Sequence, residues 1–162
     1  MAAGAQISVE EYLHTAYNPD CEYIDGVIQE RNVGELDHAL VQRQLLFVFD
    51  RFGLLAIPEW RFQVSPTRYR VPDVIVTIRR PREQILTSAP LLCIEILSPE
   101  DTVSRVNAKI QDYLRFGVPE VWVADPKERR IWIYRSNGME EAVEVIRLSG
   151  TSVEIPVSEI FD

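Results

Sequence analysis

Apolar residues fall in short runs separated by turn residues, and the period of each run predicts its element. Ser8-Val9-Glu10-Glu11 has the form of a capping box, with an acid three residues after the capping serine, and predicts a short helix to about Tyr17, ended by Asn18-Pro19-Asp20. Glu22 to Arg31 reads as two short extended pieces around Asp25-Gly26, a residue pair suited to a two-residue hairpin turn. Leu36, Leu40, Val41, Leu45, Val48, Phe49 and Phe52 recur at helical spacing, and Gly53 supplies the stop. Three extended segments follow, at about Leu55 to Val64, Tyr69 to Ile78 and Leu91 to Leu97, and their β-branched and apolar runs suit a buried sheet.

Ser98-Pro99-Glu100-Asp101 predicts the start of another helix, with Ser98 as cap, Pro99 in the first turn and acids near the positive dipole end; it runs to about Phe116 and stops at Gly117. Glu120 to Ala124 and Arg130 to Arg135 predict two strands joined through Asp125-Pro126. Val143 to Leu148 predicts a further strand, and the last dozen residues are expected to pack across an edge. The order of helix, hairpin, helix, three strands, helix and strands predicts an α/β domain with a mixed central β-sheet flanked by helices.

Composition narrows the class. A chain of 162 residues suits one domain spanning 1–162, and 46% hydrophobic with 26% charged residues argues against disordered, collagen-like and coiled-coil chains. Apolar stretches such as Leu45-Leu46-Phe47-Val48-Phe49 fall far short of the roughly 18 residues that span a bilayer, so no membrane partner is expected. The start of the chain carries no basic region followed by an apolar one, which makes the cytoplasm the expected location. Cys21 and Cys93 lie 72 positions apart without a C-x-x-C pattern, so neither a zinc site nor a disulfide is expected.

A net charge of −8 argues against a general basic coat for nucleic acid. The mean conceals an asymmetry: from Arg61 to Arg82 there are six arginines and one acid, a local net of +5, against −13 over the other 140 residues. That segment is a candidate polyanion surface, with a solvated edge strand carrying outward arginines as the alternative.

Two acids carry the candidate chemistry. Asp73 opens the run Val74-Ile75-Val76, and Glu95 interrupts the run Leu91-Leu92-Cys93-Ile94. A charged group inside a strand this apolar is costly unless it is paired or holds a metal. On period-2 alternation Asp73 shares a face with Ile75 and Thr77, and Glu95 with Cys93 and Leu97, so adjacent strands would bring the carboxylates together. A divalent cation resolves their repulsion, and hard oxygen ligands favour magnesium or manganese. The alternative is a turn-entry residue at a strand start and a core carboxylate paired to an arginine. Pro-Asp also occurs at Pro19-Asp20, but only Pro72-Asp73 opens an apolar strand with an acid on another strand downstream.

These features together resemble the PD-(D/E)XK nuclease superfamily, and within it a family of small restriction-endonuclease-like proteins. The resemblance rests on Glu22-Tyr23-Ile24-Asp25-Gly26, His38 near a helix start, Pro72-Asp73, Glu95-Ile96-Leu97-Ser98-Pro99, Lys109 and Tyr113 on one helix, Gly117-Val118-Pro119-Glu120, and Val121-Trp122-Val123-Ala124-Asp125-Pro126. It covers the chain from about Glu11 to Tyr134 and implies a restriction-endonuclease-like fold. One departure matters: the superfamily's usual lysine, two residues after the glutamate, is Leu97 here. In the family the lysine is displaced onto the following helix, which fits Lys109. Lys109 lies about 60° from Val106 beside the stripe Val103, Val106, Ile110, Tyr113, a place that also suits a surface lysine stretched along the stripe border.

The resemblance implies metal-dependent hydrolysis of DNA phosphodiesters, with Asp73, Glu95 and the Ile96 carbonyl holding magnesium or manganese and Lys109 orienting or helping to deprotonate a water. It places Glu22 as a further acid, with a solvated hairpin residue as the alternative, and His38 near metal or phosphate, with a hydrogen-bonded surface histidine as the alternative. Arg61, Arg68, Arg70 and Arg105 would contact the DNA backbone. A homodimer is expected, with Trp122, Trp132 and Tyr134 as core or dimer-surface residues rather than base-stacking platforms. A competing reading is an inactive nuclease-derived module that binds nucleic acid or a partner protein.

Overall fold

The computed structural model describes residues 5–32 and 34–162. Helix α1 (Val9–Leu13) opens on Ser8, whose Oγ accepts from the Glu11 amide at 3.0 Å. It ends before Tyr17, because His14 and Thr15 turn their side chains onto the carbonyls of Glu10 and Glu11. Strands β1 (Glu22–Ile24) and β2 (Val27–Gln29) form the predicted hairpin, with Asp25 and Gly26 at φ of 49° and 94°, the left-handed pair that such a turn demands. Helix α2 (Leu36–Arg51) follows as its apolar spacing predicts.

The expected strands at 55–64 and 69–78 each divide in two. They become β3 (Leu55–Pro58) and β4 (Phe62–Ser65), then β5 (Arg68–Arg70) and β6 (Val74–Thr77). The breaks fall at Glu59, which has a φ of 52°, and at Pro72, which has no N–H to continue a ladder. The halves join different sheets: β4 and β5 extend the hairpin into a four-stranded antiparallel sheet, β2-β1-β5-β4, and β3 and β6 enter the central sheet.

Strand β7 (Leu92–Ile96) is buried along its whole length. Helix α3 (Val103–Phe116) is capped by Thr102, not Ser98: Ser98 to Asp101 close a separate turn in which Asp101 Oδ2 accepts from the Ser98 amide at 2.7 Å. Gly117, at a φ of 111°, ends α3. Strands β8 (Val121–Asp125) and β9 (Arg130–Arg135) stand as predicted. Strand β10 (Gly138–Ala142) was not legible, because its solvated edge position leaves Met139, Glu140 and Glu141 without apolar alternation. Strands β11 (Val145–Arg147) and β12 (Glu154–Pro156) pair as a separate ribbon, and α4 (Val157–Ile160) closes the chain.

The central sheet is mixed, in the order β10-β9-β8-β7-β6-β3, with β7 and β8 parallel and the other neighbours antiparallel. Val41, Leu45, Val48 and Phe49 of α2 pack on the face formed by Val74, Val76, Leu92, Ile94 and Trp122. Ile110 and Tyr113 of α3 pack on the opposite face, with Ile75, Cys93, Val121 and Val123. Both faces are therefore covered, which is why β7 and β8 read as unbroken apolar runs. Among the described residues no helix is long and apolar enough to cross a membrane.

Candidate active site

The β6–β7 register pairs Val74 with Ile94, so the next step along the ladder sets Asp73 level with Glu95 on the α3 face of the sheet. Both acids are buried, Asp73 at 6% exposure and Glu95 at 4%. Tyr113 donates its hydroxyl to Glu95 Oε1 at 2.6 Å, and Lys109 Nζ lies 3.4 Å from Oε2. These two side chains are four apart on α3 and project from one helical face. Asp73 Oδ2 accepts from the Ile96 amide at 2.7 Å, and Oδ1 faces Arg31 Nη2 and His38 Nε2, each at 3.2 Å. Gln42 Nε2 donates to the Asp73 carbonyl at 2.9 Å, anchoring the strand entry to α2. Asp73, Glu95, Ile96, Lys109, Arg31 and His38 line one cavity of about 20 Å³, with Ser98 and Asp101 at its rim.

The two acids differ in protonation. Burial, reinforced by the charges of Asp73 and Glu22 and opposed by Lys109 and Tyr113, pushes Glu95 up to about 7. Burial acts the same way on Asp73, but His38, the Ile96 amide and Arg31 outweigh it and hold that carboxyl below its usual value. Burial would also strip the proton from Lys109, yet the surrounding Glu95, Glu22, Asp73 and Asp101 hold its ammonium more firmly than in water. His38 is raised, with Asp73 outweighing its burial.

A carboxyl with a folded pKa near 7 and an ordinary value of 4.5 stabilises the fold fully below about 4.5, and that contribution is lost as pH rises through 7. Relative to Glu95→Gln, the metal-free protein is therefore expected to lose on the order of 3 kcal/mol of stability between pH 5 and 8. Urea unfolding in a chelator across that range measures it. His38 titrates in both proteins with its shift set chiefly by burial and Asp73, so most of its contribution drops out of the difference, and parallel curves would contradict the assignment.

The other sequence candidates are distributed differently. Glu22, 1% exposed on β1, accepts from Arg70 at 3.0 Å and from the Val71 amide at 2.9 Å; it raises Glu95 through its charge but does not line the cavity. Arg70 is corrected as a DNA contact: it is 3% exposed and bridges Glu22 and Asp112 inside the protein. Arg68 pairs with Asp25 and Asp112, and Arg61 pairs with Asp20 and lies over the Tyr12 ring. Three of the six arginines of the basic segment are thus paired with acids far away in sequence, while Arg79, Arg80 and Arg82 stand exposed. Arg105 is exposed on α3 and donates to the Glu30 carbonyl at 3.0 Å.

Arg31 was missed. It follows the hairpin as a lone arginine with no periodic signal, yet its side chain is 11% exposed and bridges Asp73 and Glu59. Asp101, read from sequence as a helix-dipole acid, accepts from Asn32 at 2.9 Å and ties the hairpin exit to the turn before α3.

The donors suit a hard divalent cation. Two carboxylates meet at a cavity with room for about one water-sized occupant, and the charges of Asp73 and Glu22 help to raise Glu95, a repulsion that a cation between the carboxylates would relieve. Among the described residues no group of three or more His, Cys, Asp or Glu converges, so a cation here would take its side-chain ligands from these two carboxylates.

A mixed sheet covered on both faces, with an acid at one strand entry level with an acid inside the next strand, belongs to the restriction-endonuclease-like class of α/β proteins. The model of the Uma2 family, described as "Putative restriction endonuclease", matches residues 9–161, and the chain belongs to that family. The crystal structure of "a putative nuclease belonging to DUF820" from Anabaena variabilis is similar at a TM-score of 0.83 and 26% identity, covering 96% of this chain and 97% of that one. No curated protein matches the chain.

Proposed function

We propose that the protein is a metal-dependent DNA endonuclease that hydrolyses phosphodiester bonds at the Asp73–Glu95 cleft. The observation that carries this reading is Glu95, buried between Lys109 and Tyr113 and level with Asp73, in a chain of a restriction-endonuclease family. Asp73 and Glu95 would hold magnesium or manganese, with the Ile96 carbonyl as a further donor. Bound there, the cation supplies a more acidic water and neutralises charge on the phosphate.

The chain's own groups do the rest. Tyr113 fixes the Glu95 carboxyl by one short hydrogen bond, and Ile96 fixes Asp73 by another. Lys109, whose ammonium the surrounding acids hold firmly in the metal-free protein, would orient or help deprotonate the attacking water and counter developing negative charge. Arg31 and His38 lie on the Asp73 side of the same cleft and supply further positive charge toward a phosphate. Arg105 would meet the nucleic-acid backbone outside the cleft. A homodimer acting in the cytoplasm is part of the proposal.

One observation favours the binding-module alternative: with Arg61, Arg68 and Arg70 paired internally, an acidic protein keeps only Arg79, Arg80 and Arg82 of that segment as exposed positive charge. Cleavage of supercoiled plasmid and of single-stranded DNA separates the two readings. Metal-dependent nicking is expected, abolished by a chelator and reduced about 10²-fold or more in Lys109→Ala. A parent protein that cuts neither substrate with either metal, or a Lys109→Ala protein that cuts at the parental rate, would remove the nuclease reading or its site.

A further inference from the structure

A second cavity opens beside the catalytic cleft. It lies between the first half of α3 and strands β8 and β9, measures about 310 Å³, and shares Ser98 and Asp101 with the cleft. Val106 and Ile110 form one wall, Val123, Trp132 and Tyr134 the other, and Asn107 stands at the rim. That volume lies at the lower end of the range for small-molecule sites, and the lining has their usual character: mostly apolar, with a few polar groups to fix orientation. Trp132 is also braced. Arg130 lies over its ring at 5.0 Å, and Arg130 is itself held by two 2.6 Å bonds to Glu141. A ring fixed in advance loses little freedom when a ligand stacks on it.

We propose that this groove receives an unpaired nucleobase of the DNA strand whose phosphate occupies the cleft, so that the preferred substrate is single-stranded DNA or a nucleotide drawn out of a duplex. The inference rests on the nuclease reading and adds its substrate class. Every phosphodiester has a base one sugar away, and the groove is an apolar surface with an aromatic wall that adjoins the cleft. A base inside an intact duplex has its faces covered by stacking and is not available to it. The flat apolar walls suit any base, and the Asn107 amide offers donors and an acceptor to a base edge, so the site favours unpaired bases without strong sequence preference. It also suits a protein of charge −8 in which three of the six arginines of the basic segment are paired internally, because stacking supplies affinity that does not depend on a long positive surface.

Competition against plasmid nicking tests this with the intact protein. Two strands of equal length and charge serve as inhibitors, oligothymidine and an abasic oligomer. Oligothymidine is expected to inhibit at about tenfold lower concentration than the abasic strand. Trp132→Ala should remove that gap, and Trp132→Phe should keep most of it. Equal inhibition by the two strands, or a gap that survives in Trp132→Ala, overturns the inference while leaving the nuclease reading intact. Light scattering supplies the other arm: a parent dimer that Trp132→Ala converts to monomer means that a second copy covers the groove, which also overturns it. If the parent protein cuts neither plasmid nor single-stranded DNA, the nuclease reading fails first and takes this inference with it; cleavage of single-stranded DNA alone supports the inference, and the competition is then read on that substrate.

Discussion

Asp73→Asn is expected to lower phosphodiester cleavage by at least about 10³-fold while the protein still folds. A divalent ion at such a site contributes several kcal/mol of transition-state stabilisation, and each 1.36 kcal/mol is a factor of ten in rate. Asparagine retains an oxygen to accept from the Ile96 amide but removes the charge that would hold the cation. Asp73→Ala should do more damage, because it also strands the Ile96 N–H and takes a carboxylate from Arg31 and His38. Cleavage rates, manganese binding by calorimetry and thermal melts on the two variants separate these effects. An Asp73→Asn protein that binds manganese and cuts like the parent would show that the cation lies elsewhere.

Arg70→Met is expected to destabilise the fold by about 3–5 kcal/mol, because it leaves Glu22 a buried anion without its cation and Asp112 with Arg68 as its remaining partner. At about 2–4 °C per kcal/mol for a chain of this size, the melting temperature should fall by roughly 10 °C. Adding Glu22→Gln should restore part of the loss, since it removes the stranded charge. A surface DNA contact would behave in the opposite way, with weakened DNA binding at an unchanged melting temperature, and that result would return Arg70 to the nucleic-acid face. The wider point concerns charge counting. A net of +5 over 61–82 has meaning only once the partners are known, and Glu22, Asp25, Asp20 and Asp112 approach that segment from other elements.

Most of the elements were legible, for local reasons. The capping serine before α1, the Asp25-Gly26 turn, the apolar stripe of α2, the Gly117 stop and the apolar runs of β7 and β8 are each set by residues next to one another in the chain. The errors have local causes as well. Pro72 and the left-handed Glu59 cut strands that composition alone made continuous, and β10 is held by its pairing with β9, not by any apolar pattern. Ser98 and Thr102 both suit a helix cap, and the choice fell to Thr102 because Asp101 draws the Ser98 amide into a separate turn.

By itself the sequence determined which acids stand in apolar strands, that their spacing fits neighbouring strands, and that a lysine follows on a helix. Those facts depend on the identity of side chains and on periodicity, which are local. The tertiary structure alone decided the rest: that Tyr113 bonds Glu95, that Arg31 and His38 meet Asp73, that Arg70 is an internal counter-ion, and that a groove with Trp132 on its wall opens beside the cleft. Each of these joins residues from separate elements, and burial and charge at the meeting point are properties of the packed chain, which no local pattern encodes.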